Sequence, residues 1–171
     1  MFEKEAVNER KEFNKELYEK IFAMTGEPKK VLDLGCGLNP LYFPYKDIEY
    51  IAVDINKPVL KKVKSYFKKN KIHGQVICTD IKDPCLVDIK NIDIVLAFKI
   101  FDYLTKNEVN AVLKSIKTKW FIISFPTRTV SGKRMDNPRR RWFEKTVKMH
   151  KILRFHNEIF YIIKNSIKKS N

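Results

Sequence analysis

Apolar positions change their spacing near residue 30, and this change separates two kinds of element. Before it, Phe13, Leu17, Ile21 and Met24 recur at helical intervals, which predicts an amphipathic helix over residues 3–24. After it, short apolar runs predict five strands, over 31–35, 50–54, 75–79, 93–98 and 120–125. Two helical patterns separate these runs, over 58–70 and 106–117, and Pro138 is predicted to open a basic helix that reaches about residue 148.

The alternation of strands and helices defines the expected fold class. It predicts an α/β, Rossmann-like domain whose mostly parallel sheet carries helices on both faces. Apolar runs at 152–155 and 159–163 flank a polar turn and predict a terminal hairpin that brings the sheet to seven strands. We therefore expect a helical extension over residues 1–27 and one α/β domain over 28–171.

The charge of the chain narrows the expected partners. The 171 residues include 35 Lys and Arg against 20 Asp and Glu, a formal net charge of +15. Such an excess favours a polyanion, nucleic acid before anionic membrane. The N-terminus is too charged for a secretion signal, and no run could span a bilayer. Three cysteines without a Cys-x-x-Cys pair suggest neither a disulfide framework nor a metal site. We expect a cytoplasmic monomer.

The strongest chemical signal lies where the predicted strands end. Gly35 and Gly37 follow the first strand, Asp54 closes the second and Asp80 follows the third. Ligands of open α/β sheets bind at the carboxyl ends of strands, so Asp54 is placed to accept ribose hydroxyls and Ile81 to pack on an adenine. The candidate cofactor-binding residues at these ends are Asp33, Gly35, Cys36, Gly37, Asp54, Ile55, Asp80, Ile81 and Phe98.

These residues allow two other interpretations, a dinucleotide site and ordinary turn or cap residues. A dinucleotide site would need a third glycine at position 40, which is proline here, so the turn suits a nucleoside without phosphates, S-adenosylmethionine. Taken singly, each aspartate could be an ordinary turn or cap residue. Their coincidence at successive strand ends favours the cofactor.

No sequence motif supplies a base or a thiolate for the methyl acceptor. Cys36 and Cys85 lie outside the usual position of a pyrimidine-attacking cysteine and are expected to be structural. An acceptor atom that carries no proton would need neither group, so catalysis would be mainly positioning, and no catalytic residue is assigned. Lys99, Phe125 and Pro126, at the ends of strands, are candidates to orient or stack the base, although Phe125 could equally be core.

Basic residues concentrate in two segments. The first, residues 128–151, holds nine Lys and Arg against two acids, with Trp142 and Phe143 among them. Guanidinium groups bind phosphates and aromatic rings stack on bases, so this segment predicts RNA contact. Its candidate residues are Arg128, Lys133, Arg134, Arg139, Arg140, Arg141 and Trp142. Three arginines at a helix start are electrostatically unfavourable, and a bound phosphate would relieve the repulsion. The second segment, 57–71, has seven lysines and no acid, and a solvated helix face is its simplest interpretation.

Two long motifs resemble those of a known family. Leu-Asp-Leu-Gly-Cys-Gly-Leu-Asn-Pro-Leu at 32–41 and Ser-Phe-Pro-Thr-Arg-Thr-Val-Ser-Gly-Lys at 124–133 are similar to motifs of the Arm-type 16S ribosomal RNA guanine-N7 methyltransferases, class I enzymes known for aminoglycoside resistance. Shorter matches are Glu-Arg at 9–10, residues 17–22, Ala-Phe-Lys-Ile at 97–100 and Trp-Phe-Glu at 142–144.

The resemblance implies a function and one further residue. It implies methyl transfer from S-adenosylmethionine to N7 of a guanine in small-subunit rRNA, with Arg10 reaching the methionine carboxylate of the cofactor. Family members carry a helical docking domain before these motifs, where this sequence has one predicted helix. Two alternatives stay open at this point: a non-catalytic cofactor- and RNA-binding or assembly factor, and a methyltransferase for another RNA or a small molecule.

Overall fold

A seven-stranded sheet runs through the protein. The structure, a computed structural model, describes residues 2–129 and 131–165, with side chains from Phe13 onward. The helices are α1 (Phe2–Thr25), α2 (Lys57–Asn70), α3 (Lys106–Ser115) and α4 (Arg141–Val147). The strands are β1 (Lys30–Leu34), β2 (Glu49–Asp54), β3 (Gly74–Cys78), β4 (Ile92–Phe98), β5 (Thr118–Pro126), β6 (Lys151–Phe155) and β7 (Glu158–Lys164). Short 3-10 turns lie at Asn39–Leu41, Pro84–Asp88 and Phe101–Tyr103.

The strand order indicates at which edge of the sheet a ligand would bind. Across the sheet the order is β3-β2-β1-β4-β5-β7-β6. The first five strands pair in parallel, and β7 runs antiparallel to β5 and to β6. From β1 the chain proceeds to β2 on one side, and from β4 to β5 on the other. The carboxyl ends of β1 and β4 therefore flank the topological switch point, where ligands bind in such sheets.

Successive residues of the strands pack alternately into two hydrophobic cores, one on each face of the sheet. Leu32 and Ile51 pack with α3, α4 and the Pro84–Asp88 turn on one face. Val31 and Tyr50 pack with α1 and α2 on the other. This alternation is the period of an extended strand covered on both sides. It confirms the predicted class: a mostly parallel α/β sheet with an antiparallel terminal hairpin and helices on both faces.

The last helix differs from its prediction. It begins at Arg141 rather than Pro138, because side chains hold the preceding residues in a non-helical path. The Arg140 backbone N–H donates to the Tyr161 hydroxyl at 3.0 Å, and the Arg140 guanidinium donates to the Pro138 carbonyl at 2.8 Å. The hydrogen bond to Tyr161 joins residues 21 positions apart and leaves no signal in the local sequence.

The C-terminal half of α1 belongs to the body of the protein. Leu17, Tyr18 and Ile21 are buried in the core on the α2 side of the sheet. The division of the chain at residues 27 and 28 stays a prediction. Among the helices within the described residues, none combines the length and the apolar character needed to cross a membrane.

Candidate cofactor and RNA-binding site

The turn after β1 is tied to the end of β2. Gly35 and Gly37 both adopt the left-handed conformation, with φ of 64° and 51°. The Cys36 backbone N–H donates to the Val53 carbonyl at 2.9 Å, and the Gly37 N–H donates to the Asp54 carboxylate at 2.9 Å. A Cβ on Gly35 would lie 2.9 Å from Cγ1 of Ile100, whereas one on Gly37 would meet nothing within 4 Å. The Gly35 side of the turn is therefore packed against Ile100, whereas the Gly37 side is open. A ligand could approach the backbone on that open side.

Asp54 holds this turn and keeps capacity for a ligand. Its two carboxylate oxygens accept the backbone N–H groups of Gly37 and Asn56, at 2.9 and 2.8 Å. Each carboxylate oxygen has a second lone pair, so both can also accept a ribose hydroxyl. Ile55 follows directly and is 69% exposed, an apolar surface beside the acid.

Ile81 does not supply that surface. It is only 8% exposed and packs in the core with Leu86, so the prediction that its side chain packs on the adenine is wrong. Ile55 is the candidate that remains in reach of a ring. Asp80, after β3, is exposed, and its carboxylate accepts the Lys82 backbone N–H at 2.9 Å. It thus shapes the turn at the rim.

Asp33 lies beneath the glycine turn and not in contact with solvent. It is fully buried and accepts a hydrogen bond of 2.5 Å from the Tyr50 hydroxyl. Burial raises the pKa of Asp33 to about 7, and the hydrogen bond from Tyr50 only partly opposes this rise. Direct cofactor contact by Asp33 is therefore contradicted by its burial. We therefore assign Asp33 to supporting the glycine turn after β1.

The cysteines are thiols in this structure. The Cys36 side chain is buried, and burial raises its pKa far above that of a free thiol, so only its backbone lines the turn. Cys85 is exposed, which corrects the expectation of a structural residue. The hydrogen bond with Asp83 is the main cause that raises the pKa of Cys85. Neither group is a prepared nucleophile.

A cleft of about 580 Å³ opens beside the glycine turn, at the carboxyl ends of β1 and β4. It brings together α1, the turns after β1 and β4, and the β6–β7 hairpin. Its lining residues are Phe13, Asn14, Leu38, Asn39, Tyr42, Lys99, His156, Asn157 and Glu158. Phe98, predicted to contact the cofactor, is partly exposed at the end of β4 and packs with Tyr18 and Phe160.

An ion pair crosses this cleft. Lys99 Nζ lies 2.7 Å from Glu158 Oε1, and the Ser124 hydroxyl donates to Glu158 Oε2 at 2.7 Å. Lys99 is held in the left-handed region with φ of 59°, and its backbone N–H donates to the Ser124 carbonyl at 3.0 Å. The Lys99 side chain is 55% exposed, so it remains accessible from the cleft.

Phe125 is core and not a base-stacking surface. It is 0% exposed and packs edge-on against Phe143, with a centroid distance of 5.3 Å. The alternative that it stacks on the base is therefore contradicted. Pro126, which follows it and ends β5, is partly exposed. Arg10 lies within α1, and its side chain is outside the described residues.

The loop after β5 is folded by its own polar groups. Arg128 donates to the Asn157 side chain at 2.8 Å and to the Gly132 carbonyl at 2.9 Å. Arg128 and Arg134 form an isolated antiparallel bridge. Arg128 thus fixes the loop to the hairpin beside the cleft, while Lys133 and Arg134 remain exposed.

The three consecutive arginines do not act alike. Arg139 pairs with both carboxylate oxygens of Glu144, at 2.7 and 2.8 Å, and Arg140 pairs with both of Asp102, at 3.0 and 2.8 Å. Two of the three charges therefore have internal partners and do not need a bound phosphate for compensation, while RNA contact by this segment stays a prediction. Arg141 is exposed and has no acidic partner among the side chains that the structure describes.

These residues line a second depression, here called the arginine groove, of about 600 Å³. It is formed by Asp136, Asn137, Pro138, Arg139, Arg140, Arg141, Trp142 and Arg154. Arg154 is exposed on β6, which ends the sheet order, and the sequence analysis missed it. Its signal in the sequence is a cation within the apolar run at 152–155. Trp142 is partly buried and lies edge-on to Phe125, with a centroid distance of 6.3 Å.

The fold and the rim together define a class I S-adenosylmethionine-dependent methyltransferase domain, with a glycine turn, an acid after β2 and a cleft at the switch point. The model of the ribosomal RNA methyltransferase family FmrO matches residues 1–149. The chain belongs to this family, and S-adenosylmethionine is the cofactor of its fold.

Individual relatives agree with this assignment. The chain is 33% identical over 139 residues to a Proteus mirabilis protein and 29% identical over 134 residues to one from Serratia marcescens, both named 16S rRNA (guanine(1405)-N(7))-methyltransferase. These matches cover 75% of this chain, and 48% and 52% of the relatives. The chain thus spans about half the length of the curated relatives it matches.

Solved structures show the same architecture. The 16S rRNA methylase ArmA is 28% identical with a TM-score of 0.68, over 88% of this chain and 81% of that one. RmtF in complex with S-adenosyl-L-homocysteine is 20% identical with a TM-score of 0.74, over 93% and 64% of the two chains, and supports the fold.

The residues at the rim fit S-adenosylmethionine. The open side of the turn at Gly37 leaves room for a ligand against the backbone. Asp54 keeps acceptor capacity for two hydroxyls, and Ile55 offers an exposed apolar face for a purine.

Proposed function

We propose that this chain transfers a methyl group from S-adenosylmethionine to N7 of a guanine in small-subunit ribosomal RNA. The observation that carries the proposal is the cleft at the switch point, which joins the glycine turn to the Lys99–Glu158 ion pair. The names of the matched relatives support the choice of guanine N7 and 16S rRNA. We propose residues 28–171 as the methyltransferase domain and 1–27 as its helical extension.

The proposed cofactor contacts follow the geometry of the rim. Asp54 would accept the ribose hydroxyls, Ile55 would pack on the adenine, and the backbone at Gly35 and Gly37 would pass beneath the methionine portion. Asp80 would border the adenine from the end of β3, and Arg10 would pair with the methionine carboxylate. Bound there, the cofactor supplies an electrophilic methyl group on a sulfonium.

Methylation of guanine N7 requires the protein to position the acceptor base and does not require a general base. Guanine N7 has an in-plane lone pair and carries no proton, so it can form the new bond to carbon while the sulfur keeps the electron pair of the bond that breaks. The product base is cationic. Glu158 compensates the charge of Lys99 at 2.7 Å, so the cleft does not present an unpaired cation to that product.

The remaining substrate residues divide into binders and organisers. Arg141, Arg154, Lys133 and Arg134 are exposed cations that we assign to phosphate contact. Arg128, Arg139 and Arg140 have internal partners and would hold the loop and the groove in shape. Trp142 would flank the RNA in the arginine groove. We propose a monomer that acts in the cytoplasm, where its substrate lies.

Single-turnover transfer of a labelled methyl group tests the proposal. The purified chain is mixed with labelled cofactor and with small ribosomal subunits or naked 16S rRNA. We expect label in at least one RNA, and much less with Asp54→Asn at the same limiting cofactor concentration. Bound cofactor without transfer to either RNA would favour a non-catalytic binding or assembly factor. Salt-insensitive transfer to a small molecule would contradict an RNA substrate.

A further inference from the structure

A line of exposed lysines follows one side of α2, which begins beside the cofactor rim. Its members, here called the lysine track, are Lys57, Lys61, Lys64, Lys68 and Lys71. Lys57, Lys61, Lys64 and Lys68 recur at intervals of four and three residues, which places them in one row along the helix. Lys71 follows as the C-cap of α2, in the left-handed conformation. All five are exposed, and none has an acidic partner among the described side chains.

The C-terminal part of the lysine track, from Lys64 to Lys71, borders a groove. A depression of about 530 Å³ lies between α2 and β3, lined by Lys64, Phe67, Lys68, Lys71, Ile72, His73, Gly74 and Val76. β3 ends the strand order, so its outer backbone groups pair with no other strand among the described residues. Backbone N–H groups at such an edge can donate to phosphate oxygens beside the ammonium groups.

The charge of the track is not that of an ordinary solvated helix. In the described part of α1, the lysines have acids one turn away, with Lys15 near Glu19 and Lys20 near Glu16. In α2 the segment 57–71 carries seven lysines and no acid. Like charges one turn apart destabilise a helix, so an uncompensated row has a cost that an anionic ligand would remove.

The lysine track and the arginine groove lie at opposite edges of the sheet. The arginine groove includes Arg154 of β6, at the opposite end of the seven-strand order from β3. Six strand spacings of about 4.8 Å separate the two edges by about 29 Å. The cleft at β1 and β4 lies between them, so one folded RNA could contact both basic surfaces around the cleft.

We propose that the lysine track binds phosphates of the substrate RNA, at a site separate from the arginine groove. The inference rests on the proposed function in taking RNA as the ligand. A membrane surface fits less well, because the exposed large apolar residues of the described chain are Phe13, Ile55, Tyr103 and Met149, and none lies on α2.

A pair of matched variants tests the proposal. Lys64→Gln/Lys68→Gln removes two charges from the track, and Lys62→Gln/Lys69→Gln removes two exposed charges from the same helix outside it. Binding to a 16S rRNA transcript is measured from about 50 to 300 mM salt. Because each lost phosphate contact lowers the salt slope by about 0.7 to 0.9, we expect the track variant to lose about 1.5 in slope and about tenfold in affinity. The control should lose less than about threefold.

The outcomes separate this proposal from the proposed activity. Equal losses in both variants would overturn the track, since general electrostatics would explain them. Unchanged RNA binding with weakened binding to phosphatidylserine vesicles would overturn it in favour of a membrane surface. Selective loss in the track variant supports it even if the wild-type chain transfers no methyl group. Circular dichroism melts of both variants check that α2 remains folded.

Discussion

Lys99 and Glu158 meet at 2.7 Å because an antiparallel strand returns to the rim that the parallel strands define. Lys99 follows β4, and Glu158 opens β7 opposite Pro126, the last residue of β5. Ser124 joins both, since its carbonyl accepts from Lys99 and its hydroxyl donates to Glu158. The hairpin thus completes a cleft that the parallel strands alone would leave without an acid.

The ion pair predicts the effect of Glu158→Gln. The substitution keeps an acceptor for Ser124 but leaves the Lys99 cation uncompensated where a cationic product forms. We expect the single-turnover rate to fall about tenfold, a barrier increase of about 1.4 kcal/mol, with the cofactor Kd unchanged. Quench-flow with labelled cofactor measures the rate and calorimetry the affinity. Glu27→Gln, at an exposed position, is the control. An unchanged rate would remove Glu158 from the site.

Asp54 predicts a loss of cofactor affinity. In Asp54→Asn one acceptor oxygen becomes an amide donor, which would face the N–H of Gly37 or Asn56. We expect the Kd for S-adenosylhomocysteine to rise about 10- to 100-fold, since a hydrogen bond to a charged group contributes about 1.5 to 3 kcal/mol. Isothermal titration calorimetry measures it, with the exposed Asp47→Asn as the control. Equal affinities in both variants would contradict the assignment.

The arginines predict two separable phenotypes. Arg140→Gln breaks the pair with Asp102 and the contact of its guanidinium with the Phe125 ring at 5.2 Å. We expect it to lower the free energy of unfolding by about 1 to 3 kcal/mol in urea titrations. Arg141→Gln/Arg154→Gln should leave stability unchanged and weaken rRNA binding about tenfold, with a smaller salt slope. The reverse pattern would contradict the division into organisers and binders.

Asp33 predicts a dependence of stability on pH. Its pKa is about 7 in the folded protein against 3.8 for an ordinary aspartate, so between these values the folded state holds the extra proton. Unfolding free energy should therefore fall as pH rises from about 4 to 7 and then level off. The full difference is at most about 4 kcal/mol, at about 1.4 kcal/mol per pH unit.

Asp33→Asn isolates this contribution. The amide can still accept from the Tyr50 hydroxyl but does not titrate. Relative to this variant, the wild-type chain should lose stability between pH 5 and 7.5, measured by urea unfolding. Groups with a lowered pKa, such as Asp93 and Glu144, act in the opposite direction at lower pH and are common to both proteins. Parallel curves would show that Asp33 does not titrate in this range.

The sequence predicted the rim well because strand ends have local signals. Apolar runs that stop at Asp54 and Asp80 mark the carboxyl edge, and the glycines at 35 and 37 mark the turn. Topology then follows from the alternation of strands and helices. These features depend on neighbours along the chain, which a pattern can reveal.

The partners of side chains could not be predicted in the same way. The pairing of Arg140 with Asp102 joins α4 to the turn after β4, and nothing local records it. Glu158 enters the cleft only through the register of β5 with β7. Ile55 and Ile81 each follow an acid at or just beyond the end of a strand, and only the packed structure shows that Ile55 is exposed and Ile81 is core.

The central claim is tested most directly by identifying the methylated atom. Small ribosomal subunits and naked 16S rRNA are incubated with the purified chain and S-adenosylmethionine, digested to nucleosides and analysed by mass spectrometry against synthetic standards. We predict 7-methylguanosine, at a single position, and much less of it with Asp54→Asn when the cofactor concentration is limiting. Methylation of another atom, or none in either RNA at saturating cofactor, would contradict the account.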